Sequence, residues 1–202
     1  MNFDFELHRS YKNVAIIDYG IIKGNNNILL IKAGQDGSMR GYEDKYLKIA
    51  KRINEEYGST VICSSNPFDG SNPLDDAVEV VEEYVKDNNF EDYEIYYMGY
   101  SNGGLVGACF GANYPKIKRM LLINTPLMHH FEQTKEGINN FNGEKIIAIY
   151  GSLDKSIPYI KLLDEIKNEK FKYHIIQGQD HLFSKDTYDF KNLPFEYLYE
   201  NN

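Results

Sequence analysis

Seven residues, Met98-Gly99-Tyr100-Ser101-Asn102-Gly103-Gly104, restrict the fold of this chain more than any other stretch. They directly follow the run Tyr93 to Tyr97, which reads as a strand, and they precede a glycine-rich helical segment. The pattern G-x-S-x-G between a strand and a helix describes a turn too tight for ordinary residues. Gly99 and Gly103 flank the serine because a side chain at either place would clash where strand and helix cross. Ser101 is then held in a strained backbone conformation with its hydroxyl lifted clear of the sheet.

The rest of the chain supplies the strands and helices such a turn requires. Phe3, Phe5 and Leu7 alternate with polar residues, and Val14 to Ile17 is a short apolar run, a pairing that predicts an amino-terminal hairpin. Asn25-Asn26-Asn27 reads as a turn before Ile28 to Ile31, a fully apolar strand of the kind buried on both faces. A helical pattern runs from Tyr42 to Tyr57, with Tyr46, Leu47, Ile49, Ala50 and Ile53 inward and Gly58 closing it. Thr60 to Cys63 is the next strand. Pro73-Leu74 opens a helix through Val85. Helix then continues from Asn102 to Tyr114, where Gly103, Gly107 and Gly111 give one smooth face for close packing on the sheet. Strands follow at Met120 to Ile123, Ile146 to Tyr150 and Tyr173 to Ile176, separated by helical stretches. That alternation implies parallel crossover units in one α/β domain spanning 1–202.

Composition excludes several classes of function. The formal net charge of -8 has no compensating basic block, so neither nucleic acid nor an anionic membrane is an expected partner. The start of the chain, with Asp4 and Glu6, lacks a basic region followed by an apolar core, so no secretory signal is expected. No apolar run approaches membrane-spanning length. The two cysteines, Cys63 and Cys109, fit inert thiols on buried elements in a reducing compartment, and a cytoplasmic location is expected. His129-His130, without a nearby cysteine or spaced carboxylate, makes a poor metal site, and neither metal nor cofactor is expected. The glycines of the turn lack G-x-G-x-x-G and no Walker sequence exists.

An elbow serine needs a base, and the base an orienting acid, both presented from later strands. Of the five histidines, His8 precedes all the machinery and His174 lies within a strand. His181 follows the last strand by a few residues, in the glycine-bearing loop Gln177 to Phe183, and is the expected general base. Asp154, in Gly151-Ser152-Leu153-Asp154 after the preceding strand, is the expected acid. It also suits a helix cap, and Asp180 is its competitor. The order Ser, Asp, His matches that of the elbow enzymes. An oxyanion would be met by the backbone N–H of Asn102, at a helix amino terminus, and by that of Gln35 in the loop Lys32 to Ser38.

These motifs together resemble the α/β-hydrolases, in particular compact, nearly capless ones, from about Ile28 to Phe183. Gly-Tyr-Ser-Asn-Gly fits the family's elbow, Gly-Ser-Leu-Asp with Ile-Pro its acid loop, and Gly-Gln-Asp-His-Leu-Phe its histidine loop. Pro67 to Ser71 sits where the family often has a Gly-x-Gly-x-Ser loop. One departure is Ala33-Gly34 in place of the usual His-Gly of the oxyanion loop. The resemblance implies a mostly parallel sheet with helices on both faces. It also implies a serine hydrolase, most simply a carboxylic ester or thioester hydrolase on small soluble acyl substrates. A peptidase, an acyltransferase or a non-catalytic binding scaffold is the alternative. Caps in this family are inserted where this chain has only the segment 124–145. There Leu127, Phe131, Ile138 and Phe141 recur at near-helical spacing. Two expectations stand for that segment: its apolar face packs on the sheet, or Leu127, Met128 and His129 roof a shallow acyl pocket. Oligomeric state is not legible.

Overall fold

The computed structural model describes residues 2–13, 15–67 and 74–200. Eight strands form one sheet: β1 (Phe5–Tyr11), β2 (Ala15–Ile22), β3 (Asn25–Lys32), β4 (Ser59–Ser64), β5 (Glu94–Tyr100), β6 (Ile117–Ile123), β7 (Lys145–Gly151) and β8 (Phe171–Ile176). Their order is β1-β2-β4-β3-β5-β6-β7-β8. β1 and β2 make the amino-terminal hairpin, in register Phe5 to Ile21, and β2 meets β4 antiparallel. Every later pairing is parallel.

Strand residues divide by parity between two apolar layers, which explains the unbroken apolar runs. Ile28 and Leu30 of β3, Ile95 and Tyr97 of β5, and Met120 and Leu122 of β6 face one layer. There they meet α2 (Leu74–Asp87), α3 (Asn102–Phe110) and α4 (Phe131–Asn140). Leu29, Ile31, Met98, Leu121 and Ile123 face the other, under α1 (Lys45–Tyr57) and the carboxyl-terminal turns bearing Phe190, Phe195 and Leu198. A sheet apolar on both faces must be covered on both, and this one is.

Three expectations are corrected. Asn25 to Asn27 is not a turn but the start of β3, irregularly paired with β4 and opposite Glu94 of β5. Backbone pairing overrides the turn preference of asparagine, and the bend falls at Lys23-Gly24. The helix expected from Tyr42 begins at Lys45, because Glu43 and Asp44 take left-handed angles (φ 49° and 59°) in a separate turn. The third is the crossover from β7 to β8, which is the 3₁₀ segment Ile157–Glu165. The segment 124–145 holds α4 alone, seated by Leu127, Ile138 and Phe141 in the first layer. Phe68 to Pro73, which include most of the expected Gly-x-Gly-x-Ser equivalent, lie outside the described residues. Among the described residues no helix is long and apolar enough to cross a membrane.

Candidate active site

Ser101 links β5 to α3 with φ 52° and ψ -118°, a backbone conformation that is costly for any residue with a side chain. What enforces it is lack of room. A Cβ on Gly103 would lie 2.5 Å from the Ala33 carbonyl oxygen and closer still to that of Lys32; one on Gly99 would strike the Gly103 carbonyl. Tyr97, buried beneath, donates its hydroxyl to the Gly103 carbonyl at 2.5 Å, and its ring lies where a Gly107 side chain would be. The Ser101 N–H is bound by the Ile123 carbonyl at 2.7 Å.

Three side chains from three loops meet at this turn. His181 Nε2 lies 3.0 Å from Ser101 Oγ, and its Nδ1 lies 2.5 Å from Asp154 Oδ2. Asp154 is nearly sealed, its side chain 1% exposed, whereas that of His181 is 38% exposed. The second Asp154 oxygen accepts the Ser156 N–H at 2.7 Å. The carboxylate therefore orders its own turn and faces the imidazole at once, so the cap reading and the partner reading describe two oxygens of one group. With a hydrogen on Nδ1 directed at Asp154, the lone pair of Nε2 faces the serine hydroxyl. Asp180 is turned away: its oxygens accept Leu182 N–H, Ser184 N–H and the Ser184 hydroxyl, which hold its carboxyl below the usual range.

The two histidine-side loops are tied together by residues that sequence reasoning missed. Asn124, fully buried just past β6, donates to the carbonyls of His181 (2.8 Å) and Asp180 (3.2 Å) and accepts the Gly151 N–H (2.9 Å). Tyr100 donates its hydroxyl to the same His181 carbonyl at 2.8 Å. Gln179, also buried, donates to Lys185 O and Thr187 Oγ1. On the opposite side, Asn66 bridges the loop after β3 to the elbow, donating to Ala33 O at 3.0 Å and Asn102 Oδ1 at 2.8 Å. Asn66 and Asn124 share one signal: each stands just beyond the carboxyl end of a strand in a parallel sheet, where α/β sites assemble.

The loop after β3 presses on Ser101, since a Cβ on Gly34 would come within 3.3 Å of the Ser101 Cβ. Gln35 follows in an exposed turn closed by Gly37 N–H to Gly34 O. No hydrogen bond of the described residues uses the backbone N–H of Gln35 or of Asn102. Of the expected roof, Leu127 is 1% exposed and belongs to the layer beneath α4, while Met128 and His129 are exposed. Leu153 and Leu182, chain neighbours of Asp154 and His181, are 62% and 66% exposed. His8 pairs with Asp18 on the hairpin, and the His174 ring lies tilted against that of Tyr197, both apart from this cluster. Burial pushes the Cys63 and Cys109 thiols up, and Cys109 also contacts Thr134.

This architecture is the α/β-hydrolase fold. Solved structures sharing it include an α/β serine hydrolase without a lid from Xanthomonas campestris, 17% identical, TM-score 0.67, covering 95% of this chain and 92% of that one. A putative α/β hydrolase from Agrobacterium tumefaciens is 16% identical at TM-score 0.68, covering 88% and 87%. An esterase domain from Rhodothermus marinus is 11% identical at TM-score 0.64, covering 90% of each. In sequence, the chain is similar to the chloroplastic phytyl ester synthase 2 of Arabidopsis thaliana, 27% identical over 158 residues. That match takes in 77% of this chain and spans about one fifth of the relative's length. No protein-family model matches the chain.

Proposed function

We propose that this protein is a serine hydrolase that cleaves carboxylic esters through an acyl-enzyme on Ser101. The observation that carries the reading is a single imidazole spanning Ser101 Oγ and Asp154 Oδ2 at hydrogen-bond distance. In the reaction, Ser101 Oγ attacks the ester carbonyl carbon as His181 Nε2 takes its proton. The carbonyl oxygen, now negative, is bound by the N–H groups of Asn102 and Gln35, with the amino end of α3 adding its dipole. Collapse breaks the ester C–O bond, and the imidazolium returns the proton to the departing alkoxide. Water then repeats the sequence on the acyl-serine, giving the free acid and regenerating the serine. Asp154 orients the imidazole and stabilises its charged form.

Exposed Leu153 and Leu182, chain neighbours of Asp154 and His181, offer apolar surface suited to a small acyl chain. Rates with p-nitrophenyl esters should rise with acyl length, since each buried methylene contributes about 0.8 kcal/mol, and level off when the site is filled. A steady rise from acetate to palmitate overturns the small-substrate reading. A second reading, acyl transfer to an alcohol in place of water, is favoured by the likeness to an ester synthase. Product analysis with an added alcohol separates the two, as an alkyl ester replaces the free acid only if transfer dominates.

The class itself is tested by a fluorophosphonate probe. Wild type is expected to be labelled at Ser101, and Ser101→Ala or His181→Ala to lose labelling together with about 10⁶-fold in turnover. A folded wild-type chain that resists the probe overturns the proposal.

A further inference from the structure

Lys45 is a cation placed where the fold does nothing to neutralise it. It is the first residue of α1, the end at which the helix dipole favours negative charge, and no side chain caps that end. Its ammonium lies among three rings, 4.2 Å from the centroid of Tyr100, 4.3 Å from Phe190 and 5.1 Å from Tyr46. Rings attract an ammonium by their faces but accept no strong hydrogen bond, so its N–H donors remain unused. No hydrogen bond or ion pair of the described residues reaches Nζ. Burial alone moves its pKa, down to about 8, and no carboxylate opposes the shift.

A cavity of about 840 Å³ opens at Lys45, between the turn Tyr42–Asp44 with the first residues of α1 and the segment from Leu182 to Lys191. The other charges around it are spoken for or stand at its mouth. Lys191 pairs with Asp189 at 3.1 Å, and Lys185 approaches Asp180 at 3.8 Å. Glu43, Lys48 and Asp186 are exposed. Tyr100 connects the cavity to the reaction: it precedes Ser101, its ring is 5.6 Å from that of His181, and its hydroxyl holds the His181 carbonyl. Leu182 and Phe183, which line the cavity, follow His181 directly.

We propose that this cavity receives an anionic group of the substrate, a carboxylate or a phosphate, and that Lys45 pairs with it to position the ester at Ser101. The natural substrate is then an ester carrying a negative charge remote from the cleaved bond. This inference rests on the hydrolase reading for its reaction, while the binding site stands on the cavity and the unsatisfied ammonium.

Two measurements test it on the full chain. The first compares mono-p-nitrophenyl adipate with its methyl ester, which has the same acyl length and no charge. Wild type should prefer the anionic ester, and Lys45→Met should lower the anionic-to-neutral ratio of kcat/KM about 10-fold, the effect of one charge-assisted contact. A ratio that this variant leaves within about twofold overturns the proposal. The second needs no turnover. In Ser101→Ala, the titration midpoint of the Lys45 ε-carbon, read by carbon-13 NMR, should rise by about one unit when adipate or inorganic phosphate saturates the cavity. A rise with phosphate alone assigns the anion as a phosphate; a midpoint that neither anion moves overturns the site. If wild type cleaves no ester, the hydrolase reading fails and the midpoint alone decides whether the anion site exists.

Discussion

Ser101 and His181, the proposed nucleophile and its base, are held by opposite means. Around Ser101 the backbone is fixed by atoms that cannot be added: Gly99 and Gly103 lie against carbonyls with no space for a Cβ. Around His181 it is fixed by atoms that could be removed one at a time, the donors of Asn124 and Tyr100 on one carbonyl and the acceptor of Asn124 on Gly151. The first arrangement fails abruptly when altered. The second gives way by degrees, because each hydrogen bond contributes separately and solvent can substitute at a loop.

The largest effect expected from this contrast is that of Gly103→Ala. Its methyl would meet the Lys32 and Ala33 carbonyls, which are backbone and cannot rotate aside. A loss of at least about 4 kcal/mol of stability is expected in urea denaturation, among the greatest effects of single substitutions. A loss near 1 kcal/mol, the ordinary price of a tight helix contact, would break the claim that exclusion shapes the elbow.

Next comes Gln35, which belongs to the nucleophile side but contributes a donor. Gln35→Pro removes its backbone N–H and should cost about 10²–10³ in kcat, whereas Gln35→Ala keeps the donor and should be mild. Thermal melting separates the loss of a donor from distortion of the loop. Equal damage from both substitutions would place recognition in the Gln35 side chain instead.

Asn124→Ala should be smaller again. It removes one donor each from the His181 and Asp180 carbonyls, which keep the Tyr100 hydroxyl and the Phe183 N–H, and leaves the Gly151 N–H unpaired in a buried place, a cost of about 1–3 kcal/mol. Because both the acid loop and the histidine loop depend on this side chain, kcat should fall up to about 10²-fold through misplacement of His181. Labelling by the fluorophosphonate should slow but persist.

The two sides also differed in how far they could be read from sequence. The elbow was legible because glycine spacing states its reason: Gly99, Gly103 and Gly107 mark the places where backbone or the Tyr97 ring intrudes. The burial of β3 and β5 on both faces was likewise visible as apolar runs, and the inward residues of α1 followed from period alone. Asp154 and His181 could be selected because strand order fixes which loops converge. Asn66, Asn124 and Gln179 were not, since their partners are carbonyl oxygens that no sequence pattern displays. Asn25 to Asn27 misled for a related reason, as strand pairing with distant residues outweighed a local turn preference. Lys45 was unreadable too: its significance depends on the turn at Glu43 and Asp44, which sets the start of α1, and on rings from two other parts of the chain.

The smallest effect should come from Tyr100→Phe, and it sharpens the comparison most. The substitution deletes one donor to the His181 carbonyl while Asn124 continues to hold the same oxygen. It keeps the ring that faces both His181 and Lys45. A half-satisfied carbonyl at a partly exposed loop costs about 1 kcal/mol or less. Turnover should accordingly fall by less than about 10-fold, with the preference for an anionic ester retained. If the loss instead matches that of Asn124→Ala, the histidine loop is a single all-or-none unit, and the graded behaviour assigned to it is wrong. If Tyr100→Phe and Asn124→Ala together cost more than the sum of the two, the carbonyl needs one donor but not both, and redundancy is what steadies the base.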